Sequence, residues 1–289
     1  MSVSERQSSS QIFAADALSG VPALVTGGGT GLGRETALEL ARCGARVTIT
    51  GRRAEVLEEA AEWIEARAGW RVACVAGDVR EAADAERLIG DVLEREGRLD
   101  LLVNNAGGQY FSPAELIAGK GWRAVWRLNV GGMLNMSETA FRLAFEPGGA
   151  GGCVINVTLS PHHGMPGMAH SGAARATVEA LTAELATRWR DAGVRVCAVG
   201  AGHFDTEVLA KYPASVRAGS ARSVPLGRLG RPQEHAWLVA LLATPLGAGF
   251  NGSTVTLDGA RDNWYGPWPP TGLADESGEV PVEERRGGG

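Results

Sequence analysis

Ser171 and Arg175 stand four residues apart in "HSGAARATVEAL", so a helix places them on one face. A hydroxyl beside a permanent cation suits an oxyanion or the hydroxyls of a sugar, but arginine lends no proton at neutral pH. His162, His163 and His170 come just before them in "LSPHHGMPGMAH", together with Ser160. Imidazole titrates near neutrality and serine donates hydrogen bonds. Ser160, His163, His170 and Ser171 are therefore the candidate donors of this segment. No carboxylate accompanies the histidines and their spacing fits no common zinc pattern, so no metal is expected. A structural or loop-exposed role accounts for each single histidine as well as chemistry does.

A second group of residues has the pattern of a phosphate cradle. "TGGGTGLG" runs over 26–33, from an apolar run into a helical pattern. Its turn comprises Gly27, Thr30, Gly31, Leu32 and Gly33, with glycines at G-x-x-x-G-x-G spacing. Such glycines let the backbone approach a pyrophosphate, and the helix N-terminus offers it unpaired N–H groups. The next apolar run ends "TITGRR", where an acidic residue would hold ribose hydroxyls. Arg52 and Arg53 stand there instead, and guanidinium pairs well with a 2′-phosphate. NADP(H) is thus favoured over NAD(H), although a solvated helix start also accounts for Arg53. Asp78, followed by Val79, is placed to accept a hydrogen bond from an adenine amino group. Asn105, Ala106 and Gly107 close a further apolar run.

The elements that must position these residues are legible as an alternation. "ALVT", "RVTIT", "RVACVA", "LDLLVN", "CVINVT", "VRVCAV" and "STVTL" are short runs of the kind found in strands covered on both faces. Between them lie amphipathic stretches. "EVLEEAAEWIEARAG", for example, puts Leu57, Ala61, Ile64 and Ala68 on one face. Strand–helix alternation throughout predicts an α/β fold with a single doubly wound parallel sheet and helices on both faces. No repeat or interdomain linker interrupts it. The polar, Ser-rich residues 1–20 read as a flexible extension, 21–262 as the domain, and 263–289 as a Pro/Gly-rich tail bearing Trp264, Tyr265 and Trp268.

Composition sets outer bounds. The 289 residues carry a formal net charge of −5 and no basic block, which argues against nucleic-acid binding. No apolar run is long enough for a bilayer span, and no signal-peptide pattern stands at the start. The four cysteines are widely spaced and read as reduced and mostly buried, which suits a cytoplasmic protein.

Taken together, "TGGGTGLG", "GDV" (77–79), "NNAG" (104–107), "RLNVGG" (127–132), "VGAGHFDTE" (199–207), "PLGRLGRPQEHA" (225–236) and "NGSTVTLDGA" (251–260) resemble the short-chain dehydrogenase/reductase superfamily. The resemblance implies one Rossmann domain with a seven-stranded sheet, assembled as a homodimer or homotetramer. It implies that Gly202, Phe204 and Thr206 lie at the nicotinamide end and that Asn129 organises a proton-relay water. A buried structural asparagine is the alternative for Asn129. The family's serine position is Leu159, and its tyrosine and lysine positions hold Ser171 and Arg175. Within the superfamily, "HSGAARATV" is similar to the peroxisomal trans-2-enoyl-CoA reductases and, more distantly, the dienoyl-CoA reductases.

That departure bears on the chemistry. Ketone reduction generates a basic alkoxide that requires an acid as it forms. Reduction of an α,β-unsaturated thioester puts charge on the thioester oxygen as a far less basic enolate, for which fixed hydrogen-bond donors suffice. The expected activity is NADPH-dependent reduction of an enoyl thioester, on CoA or another carrier, or of a related activated alkene. Arg175 would then replace lysine against the nicotinamide ribose. A carbonyl reductase with a displaced acid and a non-redox enzyme on the same fold are the alternatives. "EVLAKYPASVRAGSARSVPLGRLG" (207–230) is expected to cover the substrate, with Lys211, Arg217 and Arg222 near CoA phosphates.

Overall fold

The computed structural model describes residues 9–149, 151–159, 167–210, 220–221 and 223–263. Its strands are β1 (Pro22–Thr26), β2 (Arg46–Gly51), β3 (Ala73–Ala76), β4 (Leu101–Asn104), β5 (Gly152–Leu159), β6 (Val194–Ala201) and β7 (Thr254–Leu257). Each of the seven apolar runs forms the strand expected of it. All pair in parallel, in the order β3-β2-β1-β4-β5-β6-β7. The chain therefore winds one way from β1 and the other way from β4, which opens a crevice at the carboxyl ends of those two strands.

The helices that cover the sheet are α1 (Gly31–Arg42), α2 (Ala54–Ala68), α3 (Ala82–Glu96), α4 (Gly119–Trp126), α5 (Gly132–Ala140), α6 (Ala169–Arg188), the short α7 (Glu207–Ala210) and α8 (Pro232–Ala243). Successive strand residues point to opposite faces, so one sequence builds two cores. Val25, Ile49, Val103 and Ile155 pack under α1, α2 and α8 through Leu40, Ile64 and Val239. Leu24, Leu102, Val154 and Val196 pack under α3, α5 and α6 through Leu88, Met136 and Leu185. The predicted apolar face of α2 is buried at Leu57, Ala61, Ile64 and Ala68. Burying side chains the size of Leu57 and Ile64 contributes about 1.5–3 kcal/mol each.

Polar side chains tie the two halves together inside the second core. The Asn104 amide donates to Ser137 Oγ (2.8 Å) and Asn156 Oδ1 (2.9 Å), and Asn156 donates to Thr182 Oγ1 (3.0 Å). The carboxyl ends of β4 and β5 are thereby locked to α5 and α6, the elements that carry the candidate site.

The expectation of a flexible segment over 1–20 does not hold for residues 9–20. Leu18 is only 2% exposed and belongs to the first core, and its N–H donates to Cys43 O at 2.7 Å. Ser10 Oγ donates to the buried Glu39 carboxylate. Phe13 and Ala17 pack against the same core, but so short an apolar run, "IFAADAL", is too brief to give a periodic signal. The tail from Trp264 onward, with Tyr265 and Trp268, lies outside the described residues.

All four cysteines are free thiols, and Cys43, Cys153 and Cys197 are buried. Burial pushes the Cys43 thiol up to about 12 and the Cys74 thiol up to about 11, so neither supplies thiolate at neutral pH. Among the described residues no helix is long and apolar enough to cross a membrane.

Candidate active site

A cavity of about 600 Å³ runs along the carboxyl edge of the sheet. Its floor is the turn between β1 and α1: Gly27, Thr30, Gly31, Leu32 and Gly33 all border it. A Cβ on Gly33 would lie 2.3 Å from Gly27 O and 2.4 Å from Asn105 Nδ2, so only glycine fits this approach. Asn105 in turn donates from Nδ2 to Thr26 O (2.9 Å) and Gly27 O (3.2 Å). The hydroxyl oxygen of Thr26 accepts the N–H groups of Asn105 and Ala106, at 3.0 and 2.9 Å. The loop after β4 is thus fastened to the loop after β1, leaving the first-turn amides of α1 facing the crevice that suits a pyrophosphate.

One end of the cavity is bordered by Arg52, Arg53, Asp78 and Val79. Both arginines are exposed. The Asp78 carboxylate, expected to meet an adenine amino group, is held by Arg80, whose Nε donates to its two oxygens at 2.9 and 3.0 Å and whose backbone N–H adds a bond at 3.1 Å. That pairing holds the carboxyl below its usual range. The local pattern "DVR" creates this ion pair two residues along.

The other end is bordered by Ala106, Gly107, Gln109, Arg175, Gly202, Phe204 and Thr206, with Thr158, Leu159 and Met168 supplying a less polar wall. Arg175 projects from α6 and is 7% exposed. Its Nη1 donates to Val157 O (3.0 Å) and its Nη2 to Gln109 Oε1 (3.5 Å). Its Nε is buried with no hydrogen-bond partner among the described residues. Desolvation pulls the guanidinium down to about 10, still charged at neutral pH. Ser171, one turn earlier and fully buried, donates to the same Gln109 oxygen at 3.4 Å. Gln109 therefore joins the two residues, and among the described residues neither of its amide N–H groups has a protein partner. A polar residue directly after the glycines of "NNAGG" was the available signal for it.

The remaining candidates separate. His170 precedes Ser171 by one residue, which turns it about 100° around the helix. It is 1% exposed and packs edge-on against Tyr110 (ring centroids 4.4 Å apart) and Trp122 (6.0 Å), and it does not border the cavity. Ser171 is likewise absent from the cavity wall and reaches it only through Gln109. Asn129 sits in the π-helical turn Arg127–Gly131 that joins α4 to α5. It donates to Gly108 O and Val125 O, both at 2.8 Å, and accepts from Gly108 N at 3.1 Å. These bonds brace the loop that carries Gln109. Ser160, His162 and His163, as well as Lys211, Arg217 and Arg222, lie outside the described residues.

His203, Asp258 and Arg261 also border the cavity and were not anticipated. Burial, reinforced by the Arg261 charge, lowers His203 to about 4, so it is a neutral imidazole under ordinary conditions. They were missed because they converge from the ends of β6 and β7, more than fifty residues apart. Among the described residues no tyrosine borders the cavity, and no group of histidine, cysteine and carboxylate side chains is arranged to hold a metal.

A glycine cradle at the switch point of a doubly wound parallel sheet, beside a buried guanidinium with an orphaned Nε, fits a dinucleotide and defines a Rossmann-type dinucleotide-binding protein. Residues 27–260 match the family model described as enoyl-(acyl carrier protein) reductase. The chain is 36% identical over 251 residues to a probable 2,4-dienoyl-CoA reductase of Bacillus subtilis, covering 85% of this chain and 97% of that protein. Among solved structures, a citronellol catabolism dehydrogenase of Pseudomonas aeruginosa superposes with a TM-score of 0.78 at 38% identity, over 88% of this chain and 99% of that one. A 3-ketoacyl-(acyl-carrier-protein) reductase of Brucella melitensis, complexed with NADH, gives 0.77 at 29% identity, over 85% and 99%. The chain belongs to the short-chain dehydrogenase/reductase family of oxidoreductases.

Proposed function

We propose that this protein is an NADPH-dependent reductase of an enoyl or dienoyl thioester. The observation that carries the reading is the donor set at the substrate end: the Gln109 amide and the Arg175 guanidinium, joined through the Gln109 oxygen and neither able to release a proton at neutral pH. Support comes from the dienoyl-CoA reductase of Bacillus subtilis among the relatives.

A nicotinamide dinucleotide held there would supply a hydride to Cβ of the thioester, leaving the displaced electron pair on the carbonyl oxygen. The Gln109 amide N–H groups, aimed by the bonds that Ser171 and Arg175 make to its oxygen, meet that oxygen. A proton taken up at Cα from water restores the thioester, so one hydride and one proton are added in all. Arg175 also holds the nicotinamide ribose hydroxyls, the turn 27–33 receives the pyrophosphate, and Arg52 and Arg53 meet the 2′-phosphate. The protein acts as a homo-oligomer, a reading supported by exposed apolar side chains such as Trp126 and Leu246.

The Brucella relative favours carbonyl reduction as a second reading. Its difficulty is the alkoxide: His203, a titratable group at the cavity, is uncharged near neutrality and is a poor acid. The deciding experiment is oxidation of NADPH by the purified protein with enoyl-CoA, dienoyl-CoA and simple ketones offered in parallel. Turnover of the thioesters alone is expected; turnover of ketones alone overturns the proposal.

A further inference from the structure

Arg175 is a buried cation without a counter-ion among the described residues. It has hydrogen bonds only to a backbone carbonyl and to a neutral amide, and no carboxylate pairs with it among the described residues. Glu179, one turn along α6, does not bridge to it. Gly107 and Asn129, packed against the guanidinium, are neutral. The charged and titratable groups bordering the cavity besides Arg52, Arg53 and Asp78 are His203, Asp258, Arg261 and Asp262, and none is in ion-pair contact with Arg175. An isolated buried charge costs several kcal/mol unless something compensates it. The orphaned Nε–H adds an unmet donor on the same group.

A lysine in this setting would shed its proton. Desolvation without a carboxylate depresses an ammonium into the neutral range, whereas guanidinium starts so high that it stays charged. The residue type and the environment therefore match only if a permanent positive charge is wanted in the cavity itself. The dinucleotide's ribose hydroxyls are neutral and do not discharge that requirement.

We propose that Arg175 is a catalytic residue in its own right, the fixed charge that stabilises the enolate oxygen of the substrate directly, beyond any contact with ribose. The inference rests on the thioester reading above. In this arrangement the neutral thioester ground state meets an unpaired cation, and charge compensation arrives only as the oxyanion develops. That is differential stabilisation of the transition state. It also removes the need for a titrating acid beside the carbonyl.

Acetoacetyl-CoA tests this without turnover, because its enolate has its own ultraviolet band. The titration is run on the complex of wild-type protein with NADP⁺. The bound thioester is expected to ionise with a constant raised about a hundredfold over that in solution, as a neighbouring unpaired cation shifts such equilibria. Arg175→Lys is expected to keep the effect at low pH and lose it as pH rises, while the wild type holds it throughout the neutral range. Gln109→Glu, which places a carboxylate against the guanidinium, is expected to abolish it even in a variant whose fold is undisturbed. With enoyl-CoA, the same two variants should show kcat reduced at least tenfold and, for Arg175→Lys, a new decline toward alkaline pH.

Binding of acetoacetyl-CoA to the wild type with no enhanced ionisation overturns the inference and leaves the thioester reading intact. An enhancement unchanged in Gln109→Glu also overturns it. Failure of the wild type either to bind acetoacetyl-CoA or to turn over any thioester overturns the reading itself, and the inference with it.

Discussion

The guanidinium of Arg175 and the side-chain oxygen of Gln109 lie 3.5 Å apart, although 66 residues separate them in the chain. Arg175 rides on α6 and Gln109 follows β4. They meet because β4 and β5 are neighbours in register and the polar lock Asn104–Asn156–Thr182 seats α6 against both. Ser171 joins the same oxygen from one helical turn away.

Replacing Ser171 with Ala removes one of the two bonds that orient the Gln109 amide. A neutral hydrogen bond contributes about 1 kcal/mol net, so kcat on a thioester should fall about fivefold. The Kd for NADPH should change by less than twofold, read by fluorescence titration. An unchanged kcat takes Ser171 out of the mechanism.

Gly107→Ala should be far more damaging than its size suggests. The added Cβ would stand 2.7 Å from Arg175 Nη2 and 2.8 Å from Asn129 Oδ1, between two groups that are both anchored. Overpacking of this kind costs about 1–3 kcal/mol, visible as a lowered Tm, and displacing the guanidinium should lower kcat/KM as well. Normal kinetics and stability would mean that Arg175 is not held where the structure puts it.

Arg52→Ala should weaken NADPH much more than NADH. A charge-assisted contact to phosphate contributes about 1.5–3 kcal/mol, so the Kd for NADPH should rise roughly ten- to a hundredfold. The Kd for NADH should move little. Equal losses for the two cofactors would show that Arg52 does not read the 2′-phosphate.

Acid should destabilise the protein through His235. It is fully buried on α8, with Nδ1 3.3 Å from Thr36 Oγ1 of α1 and Nε2 without a partner, and burial lowers it from 6.5 to about 4. The unfolded chain takes up this proton at higher pH than the native state does. The neutral imidazole's contribution is therefore complete above pH 6.5 and is lost as pH falls toward 4. For one such group the loss amounts to at most about 3 kcal/mol. His203 adds a similar dependence. In His235→Gln the drop in Tm between pH 7.5 and pH 5 should be clearly smaller than in the wild type; an equal drop would place the proton uptake elsewhere.

Much of this molecule is written in local patterns. Seven short apolar runs become seven strands because a parallel sheet covered on both faces accepts little else. The turn 26–33 needs its glycines for contacts within one strand–turn–helix unit and the adjoining loop, so its spacing carries its purpose. Arg52 and Arg53 follow β2 directly, and sequence position alone brings them to the cavity's edge. The i, i+4 relation of Ser171 and Arg175 likewise needs only the helix period.

The tertiary structure decided what no local pattern encodes. His170 and Ser171 are neighbours in the chain, yet one is stacked against Tyr110 and Trp122 and the other reaches Gln109, because a helix turns about 100° per residue. Leu18 joins the core where its N–H meets the Cys43 carbonyl at the end of α1, a partner 25 residues further along the chain. His203 and Arg261 become neighbours only when β6 and β7 pair. Whether Arg175 has a counter-ion depends on every element that surrounds it, since burial and charge compensation are sums over the whole fold. The sequence determined which side chains this protein has for binding and chemistry; packing determined which of them share a cavity and which cation, among the described residues, stands there without a carboxylate.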